Sequence, residues 1–405
     1  MHELHAILDQ WHLGAPEAVL ATVVHVQGSA YRRPGARMLI LPDGCRIGSI
    51  SGGCLEGEVA KKAWWFTDSG KPAVRVYDTS SDDDAVWEFG LGCNGVVHVL
   101  LERVDTPACQ QAFAFLDRHR TGSTPAVIAT VIRVGESAGD SEGGNSEAGN
   151  IEVGDRLFLD NSWKPEGSLA GSTQVLTHAS VALREQKSRL VHLDHCDLFV
   201  EWVGPPLSLV ILGAGHDAIP LAVIGKQLGW NVTVADGRPA YANANRFPCA
   251  DRVVLLPPSD PFKNLAIDSR SAVVMMTHNY PLDRKLLPAL LEARPRYLGI
   301  LGPKSRAERL FEEIGRKRIP HAVHAPVGMD LGSDNPLAIA IAIAGEILAV
   351  LAGRTGGMLK HREEAIHPPV AELGVAPRVR PAIRPSFCET TVDADSCHDR
   401  VHEST

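Results

Sequence analysis

Two stretches of this chain are copies of one another, and a chain built from two copies of one short β-rich unit has few ways to fold. Residues 17–26 read EAVLATVVHV and residues 125–134 read PAVIATVIRV, with six of the ten positions identical. The likeness continues. GARMLILPDGCRIGSISG at 35–52 aligns without gaps on GDRLFLDNSWKPEGSLAG at 154–171, keeping Gly35, Arg37, Gly48, Ser49 and Gly52. Each copy goes on to a helix-like segment, 55–68 or 173–188, and then to strands, VRVYD and VVHVLLERV in the first and RLVHLD and DLFVEWV in the second. Units this small bury too little apolar surface alone, so the halves 17–104 and 125–203 are expected to pack about a pseudo-twofold axis. Together they form one β-rich α+β domain, residues 1–204. The second copy carries an insertion, 135–154, rich in Gly, Ser and Glu, which predicts a mobile loop.

The copies are not equivalent, and the difference points to function in the first. Residues 28–58 hold seven glycines, a density that means tight turns or backbone brought close to a ligand. Only this half has Gly52-Gly53-Cys54-Leu55-Glu56, and only it has Gly90-Leu91-Gly92-Cys93-Asn94-Gly95 before its last strand. Cys54 stands where a helix begins, beside free N–H groups and a partial positive charge that favours thiolate. Two readings stay open there: a reactive thiol or a structural cysteine in a tight turn. The run Asp82-Asp83-Asp84 either binds a divalent cation or is a solvated loop, and alternation along a strand sets adjacent carboxylates on opposite faces, against the cation.

From Leu207 the pattern changes to a buried strand, LVIL, then Gly213-Ala-Gly215-His216-Asp217-Ala218, a helix to Leu228, and a strand ending in Asp236. Strand, turn, helix, strand and acid in that order make a dinucleotide fingerprint. Gly213 makes the turn, Gly215 lets a pyrophosphate approach the helix N-terminus, and Ala218 permits close packing. Asp236 is placed for a ribose 2′-hydroxyl, while Arg238 leaves NAD and NADP both open. Further strands near 252–256, 272–277 and 297–301 alternate with helical segments, which predicts a doubly wound Rossmann-like parallel sheet over 205–360. His278, Lys304 and Arg306 fall at strand ends, where such sheets bind ligands, as phosphate or ligand contacts; His278 and His216 are also acid–base candidates. An apolar helix at 336–351 is expected to be covered by the sheet or by a second copy of the chain, making a homodimer. Residues 361–405 lack periodicity and are expected to be disordered.

Composition excludes several classes. A formal net charge of −8, with both signs interspersed, leaves no footprint for nucleic acid or an anionic membrane. No apolar run reaches the roughly 18 residues of a membrane span. The start, MHELHAILDQ, does not read as a secretory signal, which predicts a cytoplasmic protein. Eight cysteines without a CxxC pair fit thiols in a reducing compartment.

The motifs GSAYRRPGARMLI, GSISGGCLEGEV, GLGCNG, ILGAGH, THNYPLD, LGILGPKSR and HAPVGMDLG resemble, in order, those of the XdhC/CoxI family of molybdenum hydroxylase maturation factors. The resemblance implies an XdhC domain followed by a Rossmann domain. It implies a chaperone that binds molybdenum cofactor (molybdopterin), supports its sulfuration by a cysteine desulfurase, and inserts it into a xanthine dehydrogenase-like apo-enzyme. Gly52, Gly53, Cys54, Glu56, Arg37 and Cys93, which stand in those motifs, are then the cofactor-handling residues, with soft sulfur donors suited to molybdenum or to a persulfide in transit. Three positions depart from the family pattern: Asn94 replaces a Gly after Cys93, Asp217 replaces an apolar residue, and Ala338 replaces an acid. Two other functions remain open on the fingerprint alone, an NAD(P)-dependent oxidoreductase and a nucleotide-sensing adaptor without chemistry of its own.

Overall fold

The structure, a computed structural model, describes residues 2–14, 17–28, 30–53, 55–78, 95–120, 122–135, 151–332, 334–363, 366 and 371–374 of the 405-residue chain. Cys54, Cys93, the acidic run 82–84, the insertion from 136 to 150 and the segment 375–405 lie outside the described residues.

Both copies build the same sheet. In β1 (Val19–Gly28), alternation sends Val19, Ala21 and Val23 to one face and Leu20, Thr22 and Val24 to the other; all six are buried. In β6 (Ala126–Val134), Val127, Ala129 and Val131 oppose Ala126, Ile128 and Thr130 in the same way. β1 lies between β2 (Arg37–Ile40) and β5 (Gly95–Arg103), antiparallel to both, with β3 (Arg46–Gly48) and β4 (Ala73–Asp78) outside them. β6 lies likewise between β7 (Arg156–Asp160) and β9 (Cys196–Val203), with β8 (Arg189–His192) beyond β9. Even the irregularities repeat: the ladder slips between Val23 and His25 in β1 and between Val131 and Arg133 in β6. A short strand at Ala371–Gly374 (β16) pairs in parallel with β8, inside the stretch expected to lack order.

The apolar faces dictate the layers. Val59 and Ala63 of α2 (Glu56–Phe66) cover Val19, Ala21 and Val23, while Val175, Ala179 and Ala182 of α4 (Thr173–Glu185) cover Val127, Ala129 and Val131. The remaining faces meet each other, and Val24 and Leu100 pack on Ile132, Leu190 and Phe199. One edge is closed by α1 (His2–His12) and α3 (Pro107–Arg120), whose Ile7, Leu8, Phe113 and Leu116 join Leu20 and Ile128. The result is helix, sheet, sheet, helix.

Two buried ion pairs cross between these sheets. Arg37 of β2 reaches Glu201 of β9 at 2.5 Å, and its copy, Arg156 of β7, reaches Glu102 of β5 at 2.5 Å. Glu102 and Glu201 are themselves equivalent, standing opposite Leu20 and Ile128 in the two registers. Each arginine follows a glycine of positive φ, Gly35 at 96° and Gly154 at 92°. A Cβ on Gly35 would lie 2.9 Å from Glu201 Oε1, so the glycine leaves room for the carboxylate that its neighbour binds.

The second unit is a parallel sheet of β10 (Ser208–Leu212), β11 (Asn231–Asp236), β12 (Arg252–Leu255), β13 (Ser271–Met275), β14 (Tyr297–Ile300) and β15 (Val323–His324), in the order β12-β11-β10-β13-β14-β15. Leu221 of α5 (Ala218–Gln227) and Ile343 and Ile347 of α8 (Pro336–Leu351) cover Leu209 and Ile211 on one face. Leu286 of α6 (Tyr280–Ala293) and Leu310 and Phe311 of α7 (Lys304–Glu313) cover Val210 and Leu212 on the other. The chain winds in opposite directions from β10 and β13, so a crevice opens at their carboxyl ends. The outward side of α8 leaves Leu337, Ile341 and Leu348 exposed. No described helix is long and apolar enough to cross a membrane.

Removing one partner of a buried pair leaves the other charged and unsolvated. Arg156→Met is expected to lower the unfolding free energy in urea by about 3–5 kcal/mol, and adding Glu102→Leu to recover most of that loss.

Candidate functional site

The first site is the loop before α2. Here Gly48 and Gly53 take positive φ, 83° and 118°, and fold the chain back over the first residue of the helix, Glu56. The buried Glu56 carboxylate accepts hydrogen bonds from Ser49 Oγ at 2.9 Å and from the backbone N–H of Ile50, Ser51 and Gly53 at 3.2, 2.8 and 3.0 Å. Ser51 Oγ donates to it too, and accepts from Gly53 N and Leu55 N. Burial works to raise the Glu56 pKa; the donors from Ser51 and Ser49 outweigh it and hold the carboxyl below its ordinary value. The residues on either side of Cys54 are therefore pinned to one serine. In the second copy the position of Glu56 is held by Val175 and that of Gly53 by Ser172, an ordinary N-cap whose Oγ accepts from Val175 N at 3.3 Å. Gly52 packs against the Tyr31 ring, where a Cβ would meet Cγ at 3.4 Å.

A second feature was missed in the sequence. Just past the shared bulge, His25 of β1 stands opposite His98 of β5, with ring centroids 4.9 Å apart. The equivalent pair in the second copy is Arg133 and Asp197, an ion pair at 2.5 Å in which Asp197 also bonds His192 Nδ1 at 2.8 Å. Where one half keeps an ion pair, the half with the glycine-rich loop keeps two imidazoles, three residues from Gly95 and the Cys93 segment. Two lines of the repeat alignment that differ in chemistry, His25 against Arg133 and His98 against Asp197, were the available signal. Arg37, by contrast, is present in both copies and its guanidinium is bidentate to Glu201, which gives it a structural role between the sheets.

The third site is the crevice of the parallel sheet, a cavity of about 260 Å³ lined among others by Gly213, Asp236, Arg238, Thr277, Asn279 and Lys285. Gly213 has φ 117°, and a Cβ there would lie 2.3 Å from Met276 O, so only glycine lets β10 and β13 end so close. Asp236 is buried, and its carboxylate is held low because Arg238 and the Ala214 N–H outweigh the opposing effect of burial, the largest single influence. His216 is exposed at the turn, while Asp217 Oδ2 lies 2.6 Å from His278 Nε2 across the crevice mouth. His278 itself has φ 53°, an uncommon conformation for a non-glycine residue. Arg306 is bound to Asp283, which also accepts from Thr277 Oγ1 at 2.5 Å, and its guanidinium lies over Tyr280. Lys304 is exposed, 4.0 Å from Glu308 on its own helix. Of the phosphate contacts expected from sequence, Arg306 is committed to the protein and Lys304 faces solvent.

Comparison with known proteins accounts for both units. The model of the XdhC and CoxI family matches residues 12–78, and that of the XdhC Rossmann domain matches 209–347. A probable xanthine dehydrogenase subunit of Bacillus subtilis (strain 168) is 31% identical over 357 residues, covering 86% of this chain and 97% of that protein. The molybdenum cofactor insertion chaperone PaoD of Escherichia coli (strain K12) is 24% identical over 338 residues, 82% of this chain and 83% of PaoD. A crystal structure described as a xanthine dehydrogenase from Bacillus halodurans aligns with a TM-score of 0.69 at 28% identity, over 88% of this chain and 97% of that one.

The histidine pair makes stability depend on pH. Burial first and His25 second push the His98 pKa from 6.5 down to about 4, against a pull upward from Asp197. The unfolded chain thus binds this proton more readily, so stability is full above pH 6.5 and is lost as pH falls towards 4. Urea midpoints measured across that window are expected to drop, and His98→Asn to flatten the drop. At the loop, Glu56→Ala is expected to speed amide hydrogen exchange at Ile50, Ser51 and Gly53 while the β1 and β5 amides keep their protection.

Proposed function

The chain belongs to the XdhC and CoxI family, and on that premise we propose that it is a maturation factor for a molybdenum hydroxylase. In this reading it binds molybdenum cofactor as cargo, supports sulfuration of the metal by a cysteine desulfurase, and inserts the cofactor into a xanthine dehydrogenase-like apo-enzyme. The protein acts in the cytoplasm, where its thiols stay reduced. One observation carries the proposal. Within a domain made of two equivalent sheets, the first half alone replaces a helix cap by a carboxylate-organised loop and an ion pair by two histidines. Those changes flank the two segments that contain Cys54 and Cys93, and a fold maintained for its own sake has no need of them. The cysteines then serve as soft ligands to molybdenum or as carriers of a persulfide sulfur.

A second reading has one specific support, the Asp217–His278 pair at 2.6 Å beside a Rossmann crevice, which is an arrangement suited to proton transfer in an NAD(P)-dependent oxidoreductase. The same crevice also suits an adaptor that only senses a nucleotide. Incubation with NADH or NADPH and common aldehydes, ketones or quinones separates these readings. The maturation factor is expected to show no protein-dependent oxidation, and sustained turnover would reassign it as a dehydrogenase.

The direct test uses protein purified from cells that make the cofactor, assayed for bound molybdenum and pterin and for activation of a client apo-enzyme. Cys54→Ala and Cys93→Ala are expected to leave cooperative unfolding intact and to reduce activation. Unchanged activation by soluble variants would return both cysteines to a structural role. A homodimer through Leu337, Ile341 and Leu348 completes the proposal, with light scattering expected to give twice the chain mass and Ile341→Glu to give the single chain.

A further inference from the structure

The acid that ends β11 in a dinucleotide fold is ordinarily read as the acceptor for the two hydroxyls of a ribose. Here it has nothing left to accept with. Asp236 Oδ1 takes the backbone N–H and the Nε–H of Arg238, both at 2.9 Å, and Oδ2 takes Ala214 N and Arg238 Nη2, both at 2.8 Å. A carboxylate offers about four lone-pair positions, and all four are used inside the protein. The residue is also only 4% exposed. A ribose diol entering the crevice would bring two donors to a group already saturated.

The donors that remain point the other way. Arg238 spends Nε–H and one Nη2–H on Asp236, so among the described residues three of the five N–H groups of its guanidinium are unspent, on a side chain 49% exposed. Its plane is fixed from behind by Tyr241, whose ring centroid is 3.7 Å from the guanidinium carbon, and Arg246 lies over the same ring at 4.6 Å. Lys285 lines the same cavity, is exposed, and makes no ion pair among the described residues. Asp283, the other acid near this strand end, is neutralised by Arg306. Asp217, at the mouth, is paired with His278, and Asp236 with Arg238, so the groups left to meet a ligand on the cavity wall are the outer N–H groups of Arg238 and the Lys285 ammonium, all donors.

We propose that this crevice binds a phosphomonoester dianion, with Arg238 and Lys285 as the clamp, and not an unphosphorylated ribose diol. The inference rests on the Rossmann unit holding a ligand at all. Two ligands share that chemistry, an adenine dinucleotide with a 2′-phosphate and a pterin carrying its terminal phosphate, and a planar guanidinium with its Nη1–Nη2 edge free suits either.

Calorimetric titration of the full chain with 2′-AMP and with adenosine isolates the added phosphate. Preference for 2′-AMP of about 10-fold or more is expected, since charge-assisted hydrogen bonds of this kind are worth that ratio. NADPH is expected to be preferred over NADH in the same sense by nicotinamide fluorescence. Arg238→Gln should erase the preference, but it also releases Asp236, so Lys285→Gln serves as the independent variant and should weaken 2′-AMP while leaving adenosine unchanged. Equal binding of 2′-AMP and adenosine, or tighter NADH, overturns the proposal. If neither adenosine compound binds, molybdopterin monophosphate weakened by Lys285→Gln upholds it with the pterin as source. Indifference of every probe to Lys285→Gln overturns it for both sources, and client activation measured on the same preparations shows separately whether the maturation role stands.

Discussion

Arg37 with Glu201 and Arg156 with Glu102 tie the halves of the first unit together in opposite senses, each arginine leaving its own sheet to meet a glutamate of the other. Arg156 is 8% exposed and Glu102 is 1% exposed, so neither charge has recourse to water. Desolvation makes such a pair a poor source of net stability, yet a severe penalty for any arrangement that separates the partners. The interaction thus selects one way of stacking the two sheets from among the many that their apolar faces alone would tolerate. Once that stacking is set, His98 near the bulged end of the first sheet comes within reach of the charge of Asp197 in the second.

The duplication also acts as an internal control. A residue kept in both copies, such as Arg37 with Arg156 or Gly48 with Gly167, has a partner that the other copy reproduces, and its role is to hold the chain in place. Gly48 and Gly167 show this directly, since a Cβ on either would lie 2.4 Å from the carbonyl oxygen of Arg37 or Arg156. A residue found in one copy only, such as Glu56 in place of Val175, holds a local arrangement that the other copy does without. This separates Arg37, whose counterpart makes the same contact, from Glu56, His25 and His98, whose counterparts are Val175, Arg133 and Asp197.

Much of the fold could be read from the chain because its signals are local. The unbroken apolar runs of β1 and β6, the ten-residue match between them and the order strand, glycine turn, helix, strand, acid are all contained in short windows, and the structure carries them through. What escaped was set by distance along the chain. Glu201 lies 164 residues from Arg37, and Asp217 lies 61 residues from His278, so no periodicity connects them. The strand Ala371–Gly374 escaped for a different reason. Its order comes from an open edge at β8 that exists only once the second sheet has formed.

The parallel sheet shows the limit of a motif in another way. Gly213, Gly215, Ala218 and Asp236 specify a backbone, and the backbone they specify is present, with Gly213 against Met276 and Asp236 at the end of β11. The ligand is specified by which polar atoms remain unsatisfied after folding, and that depends on Arg238, two residues beyond the motif. Because its guanidinium folds back on Asp236, the acid becomes part of the frame that holds the turn through Ala214, and the arginine becomes the group that faces the crevice. Two neighbouring residues have in effect exchanged the roles that their order in the sequence suggests. Charge count alone cannot register such an exchange, since the pair is neutral in either arrangement; it is the direction of the unspent donors that decides what the crevice can hold.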